Sequence, residues 1–341
     1  MARQIIDTDT QNPGWIGDIA KIAFTKTNEN FKEIYDELGD GGSISARIQG
    51  KNLLINGSIS VFQRGNAGNV TNTETFTVDR WSFASLGSAS SNWGVGSFNE
   101  PLPAENAPRN YLGANVVAGV TSSWIRQKIE NVFVGSGGKV TLSFWMRANA
   151  AGKKVGVRLI QDFGAGGSSP ITVYGDVFTL DTVFKRYTCT FDLPSVAGKT
   201  IGQNDNLQVV FDFAAATGHG NQLVGQTGLF ETTMIQLERG ATVTSFEYRS
   251  RASELVLCRR YCRYGFVSSR QASGPVSNTG AGLFVAHEMR TTPAVTFSNT
   301  TYAYGCSGIG ASATTRYGVE IFVTVTGSYA FSTNYLFDAE L

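Results

Sequence analysis

The sequence predicts a mainly β protein with four parts: an N-terminal helix, an antiparallel β-sandwich of the jelly-roll type, a linking helix and a C-terminal β-sandwich. Three observations predict it. Apolar residues alternate with polar ones along most of the chain, as they do in half-buried strands. Glycine supplies 39 of the 341 residues, which suits many tight turns between short strands. Helical spacing occurs in only two segments, so parallel strands joined by helical crossovers are not expected.

The N-terminal segment, residues 1–43, is predicted to hold the first helix. Its apolar residues recur at steps of three and four, which places them on one seam. The seam residues are Ala20, Phe24, Thr27, Phe31, Ile34 and Leu38. A single short helix cannot bury such a seam alone, so we expect it to pack on copies of itself or on a receiving protein. The run GDGGS at 39–43 has the composition of a flexible joint.

Residues 44–249 are predicted to form the jelly roll from about ten short strands. Apolar and polar residues alternate at 142–144 and 155–159, and further strand candidates lie at 178–180, 187–191 and 207–213. A linking helix over 250–264 follows, with Ser250 and Ser253 available to cap its start. Strand patterns then return over 265–341, the C-terminal β-sandwich.

The composition limits the classes of partner. Charged residues are 16% of the chain and the formal net charge is +1, so no strong field attracts it to nucleic acid or to an anionic membrane. No apolar stretch reaches the length that membrane insertion needs, and residues 1–9 lack a signal-peptide core. Four scattered cysteines favour synthesis in a reducing cytoplasm.

Catalytic and metal-binding motifs are not recognisable. The run GKT at 198–200 ends like a phosphate-binding loop, but Leu193 stands where that loop needs glycine. His219 and His287 have no partner at a metal-ligand spacing. Cys258 and Cys262 share one face of the predicted helix and are interpreted as small buried residues. We therefore predict no metal, no cofactor and no enzymatic activity.

One enzymatic alternative stays open at this point. A glycosidase uses two carboxylates that flank the sugar bond, and their sequence spacing does not identify them. Carboxylates are available for such a pair at Asp162, Asp176, Glu100 and Glu105.

Aromatic residues in polar segments are candidates for binding sugars. A sugar offers an apolar ring face and a rim of hydroxyl groups, so its sites combine aromatic faces with hydrogen-bonding side chains. The candidate ligand-binding residues are Trp93, Trp124, Tyr174, Tyr302 and Tyr329. Trp81 and Trp145 lie in apolar strand patterns and are predicted to be core residues.

A series of phrases between residues 51 and 263 resembles the central module of bacteriophage tail fibres and related receptor-binding proteins. The phrases are NLLINGSISVFQRG at 52–65, DRW at 79–81, QKIENV at 127–132, TLSFWMRA at 141–148, FKRYTCTFDLPSVAGKTIG at 184–202, IQLERGATVTSFEYR at 235–249 and ELVLCRRYCR at 254–263. The resemblance implies a jelly roll like a carbohydrate-binding module, without enzymatic activity, in a homotrimeric fibre. Virion release by lysis also fits the missing signal peptide.

The segment GDIAKIAFTKTNENFKEIYDEL at 17–38 is similar to the short helix at the start of many phage fibres. This likeness implies that residues 1–43 attach to a phage tail or baseplate protein. The fibre would then adsorb to host surface polysaccharide or lipopolysaccharide through its β domains, with the protein located in the virion. Two alternatives remain: a compact polysaccharide depolymerase, and a structural adaptor or capsid-decorating fibre that binds no receptor.

Overall fold

The computed structural model describes residues 10–16, 22–29, 50–99, 102, 108–271, 278–284, 288–303, 306–325 and 329–341. The protein is mainly β, with 54% strand against 7% helix, and all strand pairs are antiparallel within the described ranges. The predicted fold class is confirmed.

The N-terminal part contributes little described structure. Two short strands, β1 (Gln11–Asn12) and β2 (Trp15–Ile16), pair with each other, and helix α1 covers 22–29. Of the predicted seam, Phe24 and Thr27 lie in α1, and Phe24 is 69% exposed. The other seam residues, Ala20, Phe31, Ile34 and Leu38, lie outside the described residues, as does most of the predicted attachment segment.

The central body consists of ten strands, the number expected from the alternating pattern. They are β3 (Ala67–Phe76), β4 (Ser82–Ser97), β5 (Asn110–Val116), β6 (Val120–Glu130), β7 (Lys139–Ala148), β8 (Lys154–Asp162), β9 (Ile171–Thr179), β10 (Lys185–Asp192), β11 (Asn206–Ala214) and β12 (Gly228–Arg239). They pair in the order β10-β7-β12-β5-β4-β6-β11-β8-β9, and β3 also pairs with β4.

The long strand β4 joins the two layers of this jelly roll. Its first half, 82–87, pairs with β6, whereas its second half, 92–97, pairs with β5. Strands β10, β7, β12 and β5 therefore form layer A, and strands β6, β11, β8 and β9 form layer B. Alternate side chains of both layers meet in one core, for example Phe144 from layer A and Phe211 from layer B, whose ring centroids are 4.8 Å apart. This burial is the main driving force for folding.

Residues 52–61 are largely buried although they form no strand. Asn56 and Ile59 adopt positive φ angles of 59° and 54°, which a strand does not allow. The Asn56 side chain replaces the missing ladder: its Oδ1 accepts from the Val61 N–H at 3.0 Å, and its Nδ2 donates to the Val61 carbonyl at 2.7 Å. Burial of apolar side chains here therefore comes from a side-chain-stabilised turn.

The linking helix is shorter than predicted. Helix α2 covers Arg251–Arg259, and the predicted cap is confirmed because the Ser250 hydroxyl accepts from the Ser253 N–H at 3.2 Å. The prediction of helix to residue 264 is wrong, since strand β13 begins at Cys262, paired with Asp338. Cys258 and Cys262 are fully buried, and burial raises the pKa of both thiols, as suits small core residues.

Two three-stranded sheets form the C-terminal body. Their strands are β13 (Cys262–Gln271), β14 (Asn278–Phe284), β15 (Ala294–Ala303), β16 (Cys306–Thr315), β17 (Gly318–Val325) and β18 (Tyr329–Asp338), in the orders β13-β18-β15 and β14-β17-β16. Ile321 and Phe337 pack between the two sheets. None of the described helices is long and apolar enough to cross a membrane.

Buried ions connect the C-terminal body to the jelly roll. Glu340 pairs with Arg80 and also with Arg64, the latter at 3.3 Å. The Glu340 and Arg80 side chains are only 3% and 2% exposed. The Arg80 guanidinium lies 3.4 Å from the ring centroid of Tyr261, a cation–π contact. Leu341 therefore lies against the jelly roll, beside the outer face of layer B.

Candidate functional site

The outer face of layer B carries a polar and aromatic surface. Along each strand the core residues alternate with outward-facing ones, so Ile125 points inward while Trp124 and Arg126 point outward. The outward-facing residues that matter below are Glu74, Ser82, Trp124, Arg126, Lys128, Arg158, Tyr174, Gln208 and Asp212. Several of them are nearly covered although they face away from the core, and Asp212 is only 3% exposed. We call this surface the layer B groove.

Two predicted ligand-binding residues meet at one end of the groove. Trp124 and Tyr174 line a cavity of about 160 Å³, together with Ser122, Arg158, Asp212 and His219. The register explains the meeting: Trp124 is paired with Asp212 across β6 and β11, and Arg158 is paired with Tyr174 across β8 and β9. Tyr174 is 55% exposed, so its ring is available to a ligand.

Trp124 has an unused hydrogen-bond donor. Its indole Nε1 is buried and has no hydrogen-bond partner within the described part of the chain. A buried donor without a partner costs free energy, roughly 1–3 kcal/mol. A ligand that accepts this hydrogen bond would recover that cost.

Asp212 organises the charged wall of the cavity. Both of its carboxylate oxygens accept from Arg158, Oδ2 from Nε at 2.6 Å and Oδ1 from Nη2 at 3.1 Å. The His219 Nε2 lies 2.9 Å from the Asp212 Oδ2. Such two-pronged pairing fixes the planar guanidinium in one orientation. Arg158 keeps part of its surface exposed at 20% and can still donate to a ligand.

His219 reaches this position because β8 has glycine beneath it. A Cβ on Gly156 would lie 2.6 Å from the imidazole ring of His219, closer than packing allows. The Tyr174 ring then meets the imidazole edge to face, with centroids 5.0 Å apart. Strand β8, the His219 turn and strand β9 thus form one packed corner of the cavity.

The pKa of Asp212 predicts a pH dependence. Burial alone would raise it, but the hydrogen bonds from His219 and Arg158 outweigh burial and hold the pKa below its ordinary value. A lowered carboxyl pKa contributes stability that is fully present above about pH 4 and is lost as the pH falls through the folded-state pKa. At pH 7 we expect the free energy of unfolding to be larger for the wild-type protein than for Asp212→Asn.

Denaturant titrations of both proteins between pH 7 and pH 2 check this expectation. The stability difference should shrink below about pH 4, because the Asp212 carboxylate of the wild type becomes protonated there. The other carboxylates titrate in both proteins, so their effects cancel in the comparison. A difference that stays constant down to pH 2 would contradict the role given to Asp212.

A hydrogen-bond network fills the other half of the groove. Arg126 donates to Glu74 through Nε at 2.6 Å and to Gln208 through Nη1 at 2.8 Å. Gln208 in turn donates to Asp162 at 3.1 Å. This chain of contacts crosses strands β3, β6, β11 and β8, and Ser82 joins it by donating to Glu74 at 2.5 Å. The network holds polar groups in fixed positions along the groove.

Lys128 lies near this network, where Glu74, Arg126 and Leu341 also line a cavity of about 140 Å³. Partial burial lowers the pKa of the Lys128 amine, and the positive charge of Arg126 lowers it further. The groove thus offers cations, carboxylates and amides along its length, with aromatic rings at one end.

Among the described residues no group of three or more histidine, cysteine or acidic side chains is arranged to hold a metal ion.

The remaining aromatic candidates lie elsewhere. Trp93 is 7% exposed and packs in the central core, so its prediction as a ligand-binding residue is wrong; it is paired with Ala114, whose side chain also faces the core. Tyr329 is 6% exposed and stacks on Phe331, so it too is a core residue. Tyr302 is 39% exposed on β15, away from the groove.

The two tryptophans predicted as core residues have different outcomes. Trp81 is fully buried, as predicted. Trp145 is half-buried on the outer face of β7, because it alternates with the core residues Phe144 and Met146.

Sequence reasoning missed most of the charged groove. Arg158 and Asp212 are 54 residues apart, and Glu74 and Arg126 are 52 residues apart. Only the pairing of β8 with β11, and of β3 and β6 with β4, brings them together. The available signal was weak: each residue stands at an outward position of an alternating strand.

Comparisons with known proteins show distant likeness in structure alone. No protein-family model matches the sequence, and the curated proteins give no match. The enzymatically active domain of tailspike protein 4 of bacteriophage CBA120 is similar over 56% of this chain and 22% of its own, with 14% identity and a TM-score of 0.36. This chain therefore spans about a fifth of that tailspike chain.

Two further similar structures are single domains. The xylan-binding domain from Paenibacillus barcinonensis matches over 47% of this chain and 92% of its own, with 13% identity and a TM-score of 0.31. The N-terminal cellulose-binding domain of Cellulomonas fimi β-1,4-glucanase C matches over 44% and 90%, with 16% identity and a TM-score of 0.30. None of these three likenesses carries information about a ligand of this chain.

Proposed function

We propose that the protein binds an oligosaccharide chain in the layer B groove. The observation that carries this proposal is the pairing of an exposed aromatic ring, Tyr174, with the unpartnered indole Nε1 of Trp124 in one cavity. Aromatic faces pack against the apolar face of a sugar ring, and the indole N–H donates to a hydroxyl oxygen. Polar side chains further along the groove would bind the hydroxyl groups of neighbouring sugar units.

The same groove supports binding without hydrolysis. A general acid for sugar cleavage needs a raised pKa, but the pKa of Asp212 is lowered, and its oxygens are occupied by Arg158 and His219. Glu74 is paired with Arg126. Asp162 accepts from Gln208 and from the backbone N–H of Gly164. Each carboxylate of the groove therefore has a structural partner, and we propose that the protein is not an enzyme.

Titration with soluble oligosaccharides tests both statements. Tryptophan fluorescence of the full chain should change saturably with xylo-oligosaccharides, cello-oligosaccharides or oligosaccharides from bacterial surface polysaccharide. A reducing-end assay on the same mixtures should show no cleavage. If none of these oligosaccharides binds, the binding proposal is rejected. Release of reducing ends would favour the depolymerase alternative.

We further propose that glycan binding serves attachment of a phage to its host. The phrases at 52–65, 184–202 and 235–249, which resemble tail-fibre modules, support this role, and residues 1–43 would provide the contact to the tail or baseplate in a homotrimeric fibre. Host surface polysaccharide or lipopolysaccharide would then be the ligand. Electron microscopy of virions labelled with an antibody to this chain tests the location, since label on the capsid would favour a capsid-decorating role.

A further inference from the structure

A further cavity, separate from the two in the layer B groove, has a different chemistry. It has a volume of about 450 Å³, within the range of small-molecule sites, and shares no lining residue with the layer B groove. Residues from three separate parts of the chain line it: the buried turn after Asn56, the start of β5, and the segment leading into α2. We call it the arginine cavity, after Arg109, Arg249 and Arg251 in its lining.

The positive charges of the three arginines are not equally balanced by acidic side chains. Arg249 pairs with Glu247 at 3.0 Å and lies 3.7 Å from Glu254, so its charge is balanced and its position fixed. Among the described residues, Arg251 donates only to the backbone carbonyl of Ser60, at 3.2 Å. Arg109 is exposed and has no ion pair within the described ranges. Two guanidinium groups are therefore free to bind an anion.

The rest of the lining suits a sugar ring. Tyr248 is 58% exposed and Phe62 is partly buried against the core, so both offer aromatic surface to the cavity. The Ser60 hydroxyl is buried and has no hydrogen-bond partner in the described part of the protein. A simple inorganic anion would leave the aromatic surface and much of this volume unused.

We propose that the arginine cavity binds a carboxylate-bearing sugar, such as a uronic acid unit. The carboxylate would pair with the Arg109 and Arg251 guanidinium groups, which bind planar carboxylates through two parallel hydrogen bonds. The sugar ring would contact Tyr248, and a ring hydroxyl would satisfy Ser60. This site does not depend on the groove, and it would give the protein a separate preference for acidic polysaccharides.

Nuclear magnetic resonance titration of the full chain tests the assignment with three probes: D-glucuronate, D-glucose and inorganic phosphate. D-glucuronate should bind in the millimolar range, and D-glucose at least tenfold more weakly, because it lacks the carboxylate. Inorganic phosphate should bind more weakly than D-glucuronate. Phosphate binding equal to or tighter than D-glucuronate binding would overturn the sugar assignment, as would equal binding of the two sugars.

Variants locate the site. Arg109→Gln combined with Arg251→Gln should weaken D-glucuronate binding at least tenfold. Arg109→Gln alone changes only an exposed side chain, so its fold should be intact, and we expect about a threefold loss. Arg259→Gln, on the same helix as Arg251 but outside the cavity lining, is the matched control and should bind like the wild type. Unchanged D-glucuronate binding in the double variant would overturn the proposal.

Discussion

Trp124→Ala is expected to weaken oligosaccharide binding by about thirtyfold or more. Buried aromatic anchors at binding sites commonly contribute about 2 kcal/mol or more, and each 1.4 kcal/mol is roughly a factor of ten in affinity. Trp124 combines ring surface with the unpartnered Nε1, so alanine removes both a packing contact and a hydrogen bond. Fluorescence of the remaining tryptophans, or calorimetric titration, measures the change.

Trp145→Ala provides the matched control for this experiment. Trp145 is also a half-buried tryptophan on an outer face, but it belongs to β7 in layer A, away from the groove. Its replacement should leave affinity within about a factor of two, since distant sites act independently. If Trp124→Ala binds as well as Trp145→Ala does, the ligand does not occupy the groove, and the arginine cavity becomes the first alternative.

The fold could be predicted from the sequence where alternation reports burial directly. In β8, Val155, Val157 and Leu159 are completely buried, as their spacing indicates. The same reasoning failed for Trp93. It follows Ser91 and Asn92 in a polar segment, but it alternates with Val95 and faces the core. Composition around a residue is a poor guide to which face of a strand it occupies; the phase of the alternation is better.

Nonlocal pairing explains the errors at helix α2. The helical spacing of Cys258 and Cys262 predicts a longer helix, but Cys262 starts a ten-residue strand paired with β18. The partner lies far along the chain, and a local pattern carries no information about it. The prediction of Tyr329 as a ligand-binding residue fails for the same reason. The pairing of β18 with β13 and β15 buries this side chain beside Phe331.

The candidate site was predictable only in its aromatic part. Trp124 and Tyr174 stand in polar strand segments, so their chemistry alone marked them, and the structure places both in one cavity. Their charged neighbours carry no such mark. An arginine or an aspartate at an outward strand position is ordinary, and the ion pair of Arg158 with Asp212 exists only through the register of β8 on β11.

Glu340→Gln is expected to give the largest loss of stability among single substitutions outside the cores. It leaves the Arg80 guanidinium, 2% exposed, without its carboxylate, and breaking a buried pair in this way typically costs about 3–5 kcal/mol. Arg64 keeps a second acid, Asp338 at 3.1 Å, so the loss falls mainly on Arg80. Because this pair joins the C-terminal body to the jelly roll, we also expect the two bodies to separate more easily.

Denaturant unfolding followed by tryptophan and tyrosine fluorescence measures both effects. The described C-terminal body contains no tryptophan but does contain tyrosines such as Tyr335. Loosened docking should therefore split one unfolding transition into two, of which the tryptophan signal reports the jelly roll alone and the tyrosine signal reports both. Glu288→Gln is the control: its pair with Arg316 at 2.9 Å is about half exposed, and exposed pairs contribute roughly 0–1 kcal/mol. Equal stability of the two variants would mean that the Glu340 carboxylate does not hold the C-terminal body in place, and that the apolar contacts alone dock it.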